Sequence, residues 1–374
     1  MDEARDLIRR RGPVPFSVFM DAALYGPSGF YTFGGGAGRR RDFITSPEVG
    51  PLFGAILARA LDAWWDELGQ PDPFFVAECG AGPGTLCRDV LRAAPRCAPA
   101  LRYVLVDSAE PMRALHREQR LPLVETFEIV GAVAVNDDGD TTVRPGQGPL
   151  ACSLAELPTE AMHVVIANEL LDNLAFDVAQ RSVNGWQEVR VGLTADGERF
   201  LPTVIELDAA RSSVLYELAP RAAVGASVPL AGAAVDWVGE ARAAVGATHG
   251  FVVAIDYGAP VAILAEREGQ WLRTYRDHER GVDPFAFAGS CDITADVAVD
   301  VVTRAHRPTS VTTQAAFLRS HGIDALVDDA RSVWTGRAAI GDLTALSARS
   351  RIGEADALLD PAGLGAFVVM QWRG

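Results

Sequence analysis

Residues 74–107 constrain the fold more than any other stretch. Phe74-Phe75-Val76-Ala77 is a short apolar run of strand formers that leads into Glu78-Cys79-Gly80-Ala81-Gly82-Pro83-Gly84-Thr85-Leu86. A helical stretch follows to about Ala94, and a second apolar run, Tyr103-Val104-Leu105-Val106, ends on Asp107. Strand, glycine-rich turn, helix, strand and acid is the layout of a nucleotide-type cofactor site at the head of a parallel sheet. Glycines let the backbone turn sharply and approach a ligand closely. An acid closing the second strand can accept hydrogen bonds from both hydroxyls of a ribose.

Two cofactor classes compete for this turn. A dinucleotide fingerprint needs G-x-G-x-x-G, whereas this chain reads Gly80-x-Gly82-x-Gly84 with an acid, Glu78, two residues ahead of the first glycine. An E-x-G-x-G-x-G turn suits S-adenosylmethionine, which has no pyrophosphate but carries an amino group that a carboxylate can engage. With Glu78 and Asp107 both in register, the residues favour S-adenosylmethionine. A tight strand–helix loop with no ligand is the plain structural alternative.

At 374 residues the chain exceeds one typical domain, so a core plus an insertion or second lobe is expected. Half of it is hydrophobic, ample for a packed core, and its apolar runs fall short of the roughly 20 residues that span a bilayer. Met1-Asp2-Glu3 opens a polar start without the apolar core of a signal peptide, so a soluble cytoplasmic protein with no membrane partner is expected. The five cysteines (Cys79, Cys87, Cys97, Cys152, Cys291) are scattered and form no C-x-x-C pair, and the six histidines are equally dispersed. Neither a disulfide framework nor a metal site is indicated. A net charge of −15 argues against nucleic acid and is compatible with a basic acceptor peptide.

Taken in order, residues 2–11 read as a charged helix stopped by Gly12-Pro13, and Phe16 to Leu24 has helical apolar spacing. Gly34 to Gly38 is a glycine-dense loop, followed by Asp42-Phe43-Ile44-Thr45-Ser46-Pro47-Glu48. Ser46 suits a helix N-cap, with Pro47 in the first turn and Glu48 near the positive end of the helix. The rival reading is a polar loop, hinged on glycine, that closes over a cofactor. The next helix is amphipathic from Phe53 to Leu68, and its Trp64 and Trp65 read as core. Beyond Asp107 we expect a helix over 109–119, a strand over Thr126 to Val135 and an acidic turn at 136–140.

His163 to Ala167 reads as a buried parallel strand ending in Asn168-Glu169-Leu170-Leu171-Asp172-Asn173. Ligands of doubly wound sheets sit beyond the carboxyl ends of the strands, so Asn168, Glu169 and Asp172 are candidates to orient an acceptor nitrogen. Helix capping is the structural alternative for Asn168 and Asp172. Residues 180–206 alternate around turns at Asn184-Gly185 and Asp196-Gly197, and helical segments follow at 209–223 and 232–246. This block, 175–247, interrupts the α/β rhythm and is expected to be an inserted lobe over the cleft. Gly250 to Tyr257 restores a strand; 270–291 is loop-like, with His278 as a candidate base against the plainer role of a surface histidine. Val299 to Arg304 reads as a strand, helices are expected near 312–321 and 323–348, and 366–372 makes a last strand.

Several of these stretches together resemble the MidA family of methyltransferases that use S-adenosylmethionine. Gly29-Phe30-Tyr31 with Asp42 to Glu48 is similar to the family's N-terminal signature, Glu78 to Leu86 to its cofactor turn, and Asn168 to Asp172 to its motif after the fourth strand. Asp256-Tyr257-Gly258, Leu272-Arg273 with Asp277-His278, 292–297 and 313–318 resemble later signatures in the same order. The resemblance implies methylation of a protein arginine, the role of mitochondrial members in assembling respiratory complex I. Two departures stand out: Asn173-Leu174-Ala175 replaces the usual Ala-Leu-Pro, and Asp107 stands where Glu is common; residues 206–247 show little that aligns.

The expectation is therefore a class I S-adenosylmethionine-dependent methyltransferase. Its fold would be α/β, Rossmann-like, a mostly parallel sheet with helices on both faces, an inserted α+β lobe and an N-terminal helical extension. The boundaries would be 1–72, 73–174, 175–247 and 248–374. Glu78, Gly80, Gly82, Gly84, Thr85 and Leu86 would cradle the methionine end, and Asp107 with Ser108 the ribose. Asp42, Thr45, Ser46 and Glu48 would close over the cofactor. The acceptor would be a protein, a peptide or a small molecule, and a homodimer is left open. A tailoring enzyme for small molecules or peptides and a non-catalytic assembly protein are the alternatives.

Overall fold

The computed structural model describes residues 1–32, 45–124, 134–135, 141–142, 146–159, 162–276 and 279–374. The glycine-dense loop at 34–38, Asp42, most of the strand expected from Thr126, the acidic turn at 136–140 and the Asp277-His278 pair lie outside them. The chain divides into two compact units. One comprises Met1–Phe43, Glu169–Glu240 and Asp256–Arg307; the other comprises Ile44–Asn168, Ala241–Ile255 and Pro308–Gly374.

The second unit is built on a seven-stranded sheet: β1 (Phe74–Cys79), β2 (Leu101–Val106), β3 (Leu150–Leu154), β4 (Val164–Asn168), β5 (Phe251–Asp256), β6 (Ser310–Thr313) and β7 (Val368–Arg373). The spatial order is β6-β7-β5-β4-β1-β2-β3. β1 pairs in parallel with β2 on one side and β4 on the other, β2 with β3 and β4 with β5, while β6 and β7 form an antiparallel pair. Successive strands thus depart from β1 in opposite directions. A sheet that reverses in this way opens a crevice at the carboxyl ends of the two strands astride the reversal.

The reason these segments are strands lies in their side chains. Val76, Ala77, Val104, Leu105, Val165 and Val253 are fully buried, the mark of strands covered on both faces. Helix Pro51–Glu67 lays Phe53, Ile56, Leu57 and Leu61 into the same core, which Phe317, Leu318 and Leu358 complete. Trp64 joins them, whereas Trp65 is half-buried and donates its indole N–H to the Pro71 carbonyl at 2.9 Å.

The other unit is organised differently. Its main sheet is antiparallel: Gly185–Leu193 pairs with Val14–Pro15, Asp177–Ser182 and Phe200–Glu206, and Ser227–Leu230 pairs with Asp177–Ser182. Phe16, Phe19, Phe176, Phe200 and Phe285 pack as one aromatic cluster, with ring centroids 5.1–5.5 Å apart for Phe19–Phe200, Phe19–Phe285 and Phe16–Phe176. A small sheet pairs Leu272–Arg276 with Asp292–Ala295 and Glu279–Arg280, where the sequence reads as loop.

Three further expectations are corrected. Val299–Ala305 is a helix, not a strand: Val302 is buried, and the Asp300 carboxylate accepts the Val261 amide at 3.0 Å, so tertiary contacts outweigh the β-branched run. The single helix expected over 323–348 is two, Ile323–Arg337 and Leu343–Leu359. Gly341 turns with φ 64° between them, and Asp342 caps the second by accepting the Ala345 amide at 2.9 Å. Ser46 is the first residue of a short helix, Ser46–Val49, with Thr45 at the cap.

Candidate functional site

Each glycine of the turn after β1 takes a left-handed conformation: φ is 70° at Gly80, 53° at Gly82 and 82° at Gly84. Gly84 precedes helix Thr85–Arg92, and a Cβ there would lie 3.1 Å from Leu105 and 3.2 Å from His116, so its inner side is closed. A Cβ on Gly82 would meet nothing within 4 Å. The middle of the turn therefore offers bare backbone on an open face, which is what a ligand lying on the main chain requires.

Three long-range contacts hold that face. Asp107, just past β2, accepts the Gly82 amide at 2.8 Å through Oδ2 and the Ala109 amide at 2.9 Å through Oδ1. Burial raises its pKa while the two amides oppose the rise. Each oxygen keeps a lone pair for an outside donor. His116 is buried in a 3-10 turn after helix Glu110–Leu115, 2.8 Å from the Gly82 carbonyl through Nε2 and 2.8 Å from Ser153 Oγ through Nδ1. Burial lowers its pKa, so the ring is neutral, with Nε2–H donating to Gly82 and Nδ1 accepting from the serine hydroxyl. Arg113 donates to the carbonyls of Asp107 and Ser108 at 2.7 and 2.8 Å.

Glu78 lies inside rather than on the open face. It is 4% exposed, and Oε2 accepts the Tyr103 hydroxyl at 2.7 Å. Burial pushes its pKa up to about 8, against the lowering effect of Tyr103 and of the Cys87 amide. The carboxyl is thus mostly protonated at neutral pH and braces the underside of the turn. The same burial and Glu78 push the Cys87 thiol well above its usual range, so this cysteine is inert packing.

The predicted closing segment is partly described. Glu48 accepts the Thr85 hydroxyl at 2.7 Å, tying helix Ser46–Val49 to the start of Thr85–Arg92. Ser46 is fully buried, its hydroxyl donating to Gln314 at 3.1 Å. Thr45 is half-buried, Leu86 is in the core, Ser108 is exposed, and Asp42 lies outside the described residues.

Asn168 ends β4, buried and in register with Ile255. The two further candidates of the motif, Glu169 and Asp172, belong to the other unit. Glu169 is half-buried and takes φ 53°, a strained value for a residue with a side chain. Asp172 is buried and accepts the hydroxyls of both Tyr257 and Thr294 on Oδ2. Burial raises its pKa against those hydroxyls. Asp256 accepts the Leu171, Asp172 and Tyr257 amides at 2.8, 3.3 and 2.9 Å. Burial first, then the charges of Asp172 and Glu169, hold its carboxyl well above the usual carboxylate range. Asn173 donates to Asp292 at 3.3 Å, and the Tyr31 hydroxyl donates to the same carboxylate at 3.1 Å.

The residues that sequence reading misses as site components are His116, Tyr103, Arg113, Thr294 and Asp256. His116 stands 34 positions from the carbonyl it binds, and Thr294 stands 122 from Asp172. No local spacing announces such pairs. Asp256 could have been found, since it ends an apolar strand as Asn168 does.

The arrangement fits an adenosyl cofactor better than a dinucleotide. The turn supplies an open backbone face at Gly82 and beside it the Asp107 carboxylate with a lone pair left on each oxygen, while the third glycine backs onto Leu105 and His116. Comparison with known proteins agrees. Residues 56–316 match the model of a family of S-adenosyl-L-methionine-dependent methyltransferases. A curated relative from Drosophila melanogaster, named as a homolog of the mitochondrial protein arginine methyltransferase NDUFAF7, is 27% identical over 80% of this chain and 68% of its own length. The Homo sapiens protein of that name is 26% identical over 85% of this chain and 72% of its own. A crystal structure of a protein from Burkholderia thailandensis, bound to S-adenosyl-homocysteine, has a TM-score of 0.77 at 28% identity, covering 100% of this chain and 91% of that one. The resemblance drawn from the sequence motifs is borne out. The expected cytoplasmic placement is not: these curated relatives are named as mitochondrial, which overturns it.

Proposed function

The chain belongs to the family of S-adenosylmethionine-dependent methyltransferases, and from that premise we propose that its acceptor is an arginine side chain of a protein. The names of the curated relatives support this reading, as does the net charge of −15, which suits a basic acceptor. When bound, S-adenosylmethionine supplies a methyl group activated by the positive sulfur, whose bonding pair leaves with that sulfur. The chain's own task is then to hold and orient.

The cofactor assignment rests above all on Gly82, fixed through its amide by Asp107 and through its carbonyl by His116 while its outer face stays open. In our reading the backbone of Gly80, Gly82 and Gly84 lies along the methionine portion, and Glu78 ionises against its ammonium from beneath. Asp107 takes the ribose hydroxyls, Ser108 and Thr85 flank them, and Leu86 seats the helix behind. Thr45, Ser46, Glu48 and Asp42 belong to the closing segment, with Glu48 anchored on Thr85. Asn168, Glu169 and Asp172 orient the acceptor nitrogen so that its lone pair faces the methyl carbon. A carboxylate among them takes the proton that the nitrogen sheds, and positioning supplies most of the acceleration.

We also read 1–72 as an N-terminal extension, 73–174 and 248–374 as the two parts of the core, and 175–247 as an inserted lobe. The antiparallel strands from Asp177 to Leu230, which fall in sequence between β4 and β5, support that reading. The decisive experiment is labelled S-adenosylmethionine added to host lysate, followed by mass spectrometry. Label on a protein arginine is expected. Label confined to small metabolites favours a tailoring enzyme, and binding without transfer favours a non-catalytic assembly protein.

A further inference from the structure

Two buried carboxylates, Asp172 at 5% exposure and Asp256 at 1%, stand side by side with no cation hydrogen-bonded to either among the described residues. Arg273, whose positive charge acts on Asp172, is committed elsewhere. Its guanidinium binds Asp296, which Arg267 also holds, and lies 4.3 Å over the Tyr257 ring. Asp172 uses only Oδ2; among the described residues Oδ1 meets no donor, since the nearby Asn173 amide donates to the Leu170 carbonyl at 3.1 Å. Asp256, by contrast, has a donor on each oxygen: Oδ2 accepts the Leu171 and Asp172 amides and Oδ1 the Tyr257 amide. The Leu171 and Asp172 amides belong to the turn that follows Glu169, whose left-handed backbone needs an external restraint.

Burying a second negative charge beside a first is unfavourable for folding, and a neutral side chain could hold at least one of these amides. An arrangement that costs stability and leaves one oxygen unsatisfied is expected where charge serves a ligand. We propose that Asp256 is a positioning residue for the acceptor. It fixes the 169–172 turn and, with Asp172, sets a negative charge that only a cationic guanidinium with its own N–H donors completes, Asp172 Oδ1 accepting the hydrogen bond. This rests on the arginine reading and adds a residue and a criterion of choice: cationic acceptors over neutral isosteres.

The test compares two peptides identical except for arginine or citrulline, titrated calorimetrically into full-length protein saturated with S-adenosylhomocysteine. Wild type should prefer arginine by about tenfold or more. Asp172→Asn keeps an oxygen for the two hydroxyls and should bring that preference close to unity with citrulline affinity unchanged. Asp256→Asn should lose most of it, with S-adenosylhomocysteine affinity intact and no loss of thermal midpoint at neutral pH. Equal affinity of wild type for the two peptides overturns the proposal, as does a preference that survives Asp172→Asn. A parallel fall of both peptides and of stability in Asp256→Asn marks a purely structural staple and overturns it too. If lysate labelling instead marks only small metabolites, the wider arginine reading fails by a separate result.

Discussion

Replacing Glu78 with Gln should make the protein more stable above neutral pH and a poorer binder of its cofactor. The folded-state pKa is about 8 against an ordinary 4.5, so between those values the folded chain keeps a proton that the unfolded chain has released. Stability therefore falls as pH rises through this window, fully present below 4.5 and lost above about 8. At 1.36 kcal/mol per unit the interval corresponds to at most about 5 kcal/mol. Glutamine cannot ionise; its carbonyl still accepts the Tyr103 hydroxyl, while the Cys87 amide loses its acceptor at a pH-independent cost of about 1 kcal/mol. Thermal or urea unfolding at pH 5, 7 and 9 should show a declining wild type and a flat Glu78→Gln, the lines crossing about one unit above 4.5, where the wild type has lost the ~1 kcal/mol that the variant lacks. At pH 9 the variant should melt several degrees higher, given roughly 2–4 °C per kcal/mol for a unit of this size. Parallel pH profiles would refute the argument. If Glu78 ionises against the methionine ammonium, wild type should release a proton on binding S-adenosylhomocysteine at pH 7, seen in buffers of different ionisation enthalpy, and Glu78→Gln should not.

His116→Ala leaves the Gly82 carbonyl and the Ser153 hydroxyl without their partner, so about 2–4 kcal/mol of stability and roughly tenfold in S-adenosylhomocysteine affinity should go, measured by unfolding and calorimetry. Gly84→Ala adds a crowded Cβ to a left-handed backbone and should lower the thermal midpoint by more than Gly82→Ala, whose Cβ would stand in open space. Gly82→Ala should instead cost about 1 kcal/mol in stability yet weaken cofactor binding the more, because it fills the open face. Asp107→Asn presents an N–H where an amide or a ribose hydroxyl must be accepted, and a tenfold or greater loss of cofactor affinity is expected with little change in far-ultraviolet dichroism.

What could be read from the sequence was whatever neighbours in the chain decide. The span from Phe74 to Asp107 is legible because its strand, turn, helix and strand follow one another directly, and the glycines announce φ values the structure then shows. Asp107 is legible as the acid at a strand end, but not that it would grip the Gly82 amide. His116 and Thr294 were hidden because their partners are distant in sequence. The Val299–Ala305 helix reads as a strand because valine and threonine favour strands locally, while burial of Val302 and the Asp300 contact to the Val261 amide settle the matter globally. Glu78 shows the reverse limit: its position was evident, but its burial and raised pKa depend on Tyr103 and on the helix above it.

The strand order has a consequence for synthesis on the ribosome. β1 to β4 are complete once residue 168 has been made, yet β4 must wait more than eighty residues for β5, and β7 begins more than a hundred residues after β5 ends. A nascent chain therefore carries an apolar, half-paired sheet until the later strands emerge. The segment Met1–Phe43 waits similarly for strands after residue 169. Loss of β7 would leave β5 with an open edge, so a stop codon ahead of Val368 should yield an aggregating product rather than a shortened enzyme.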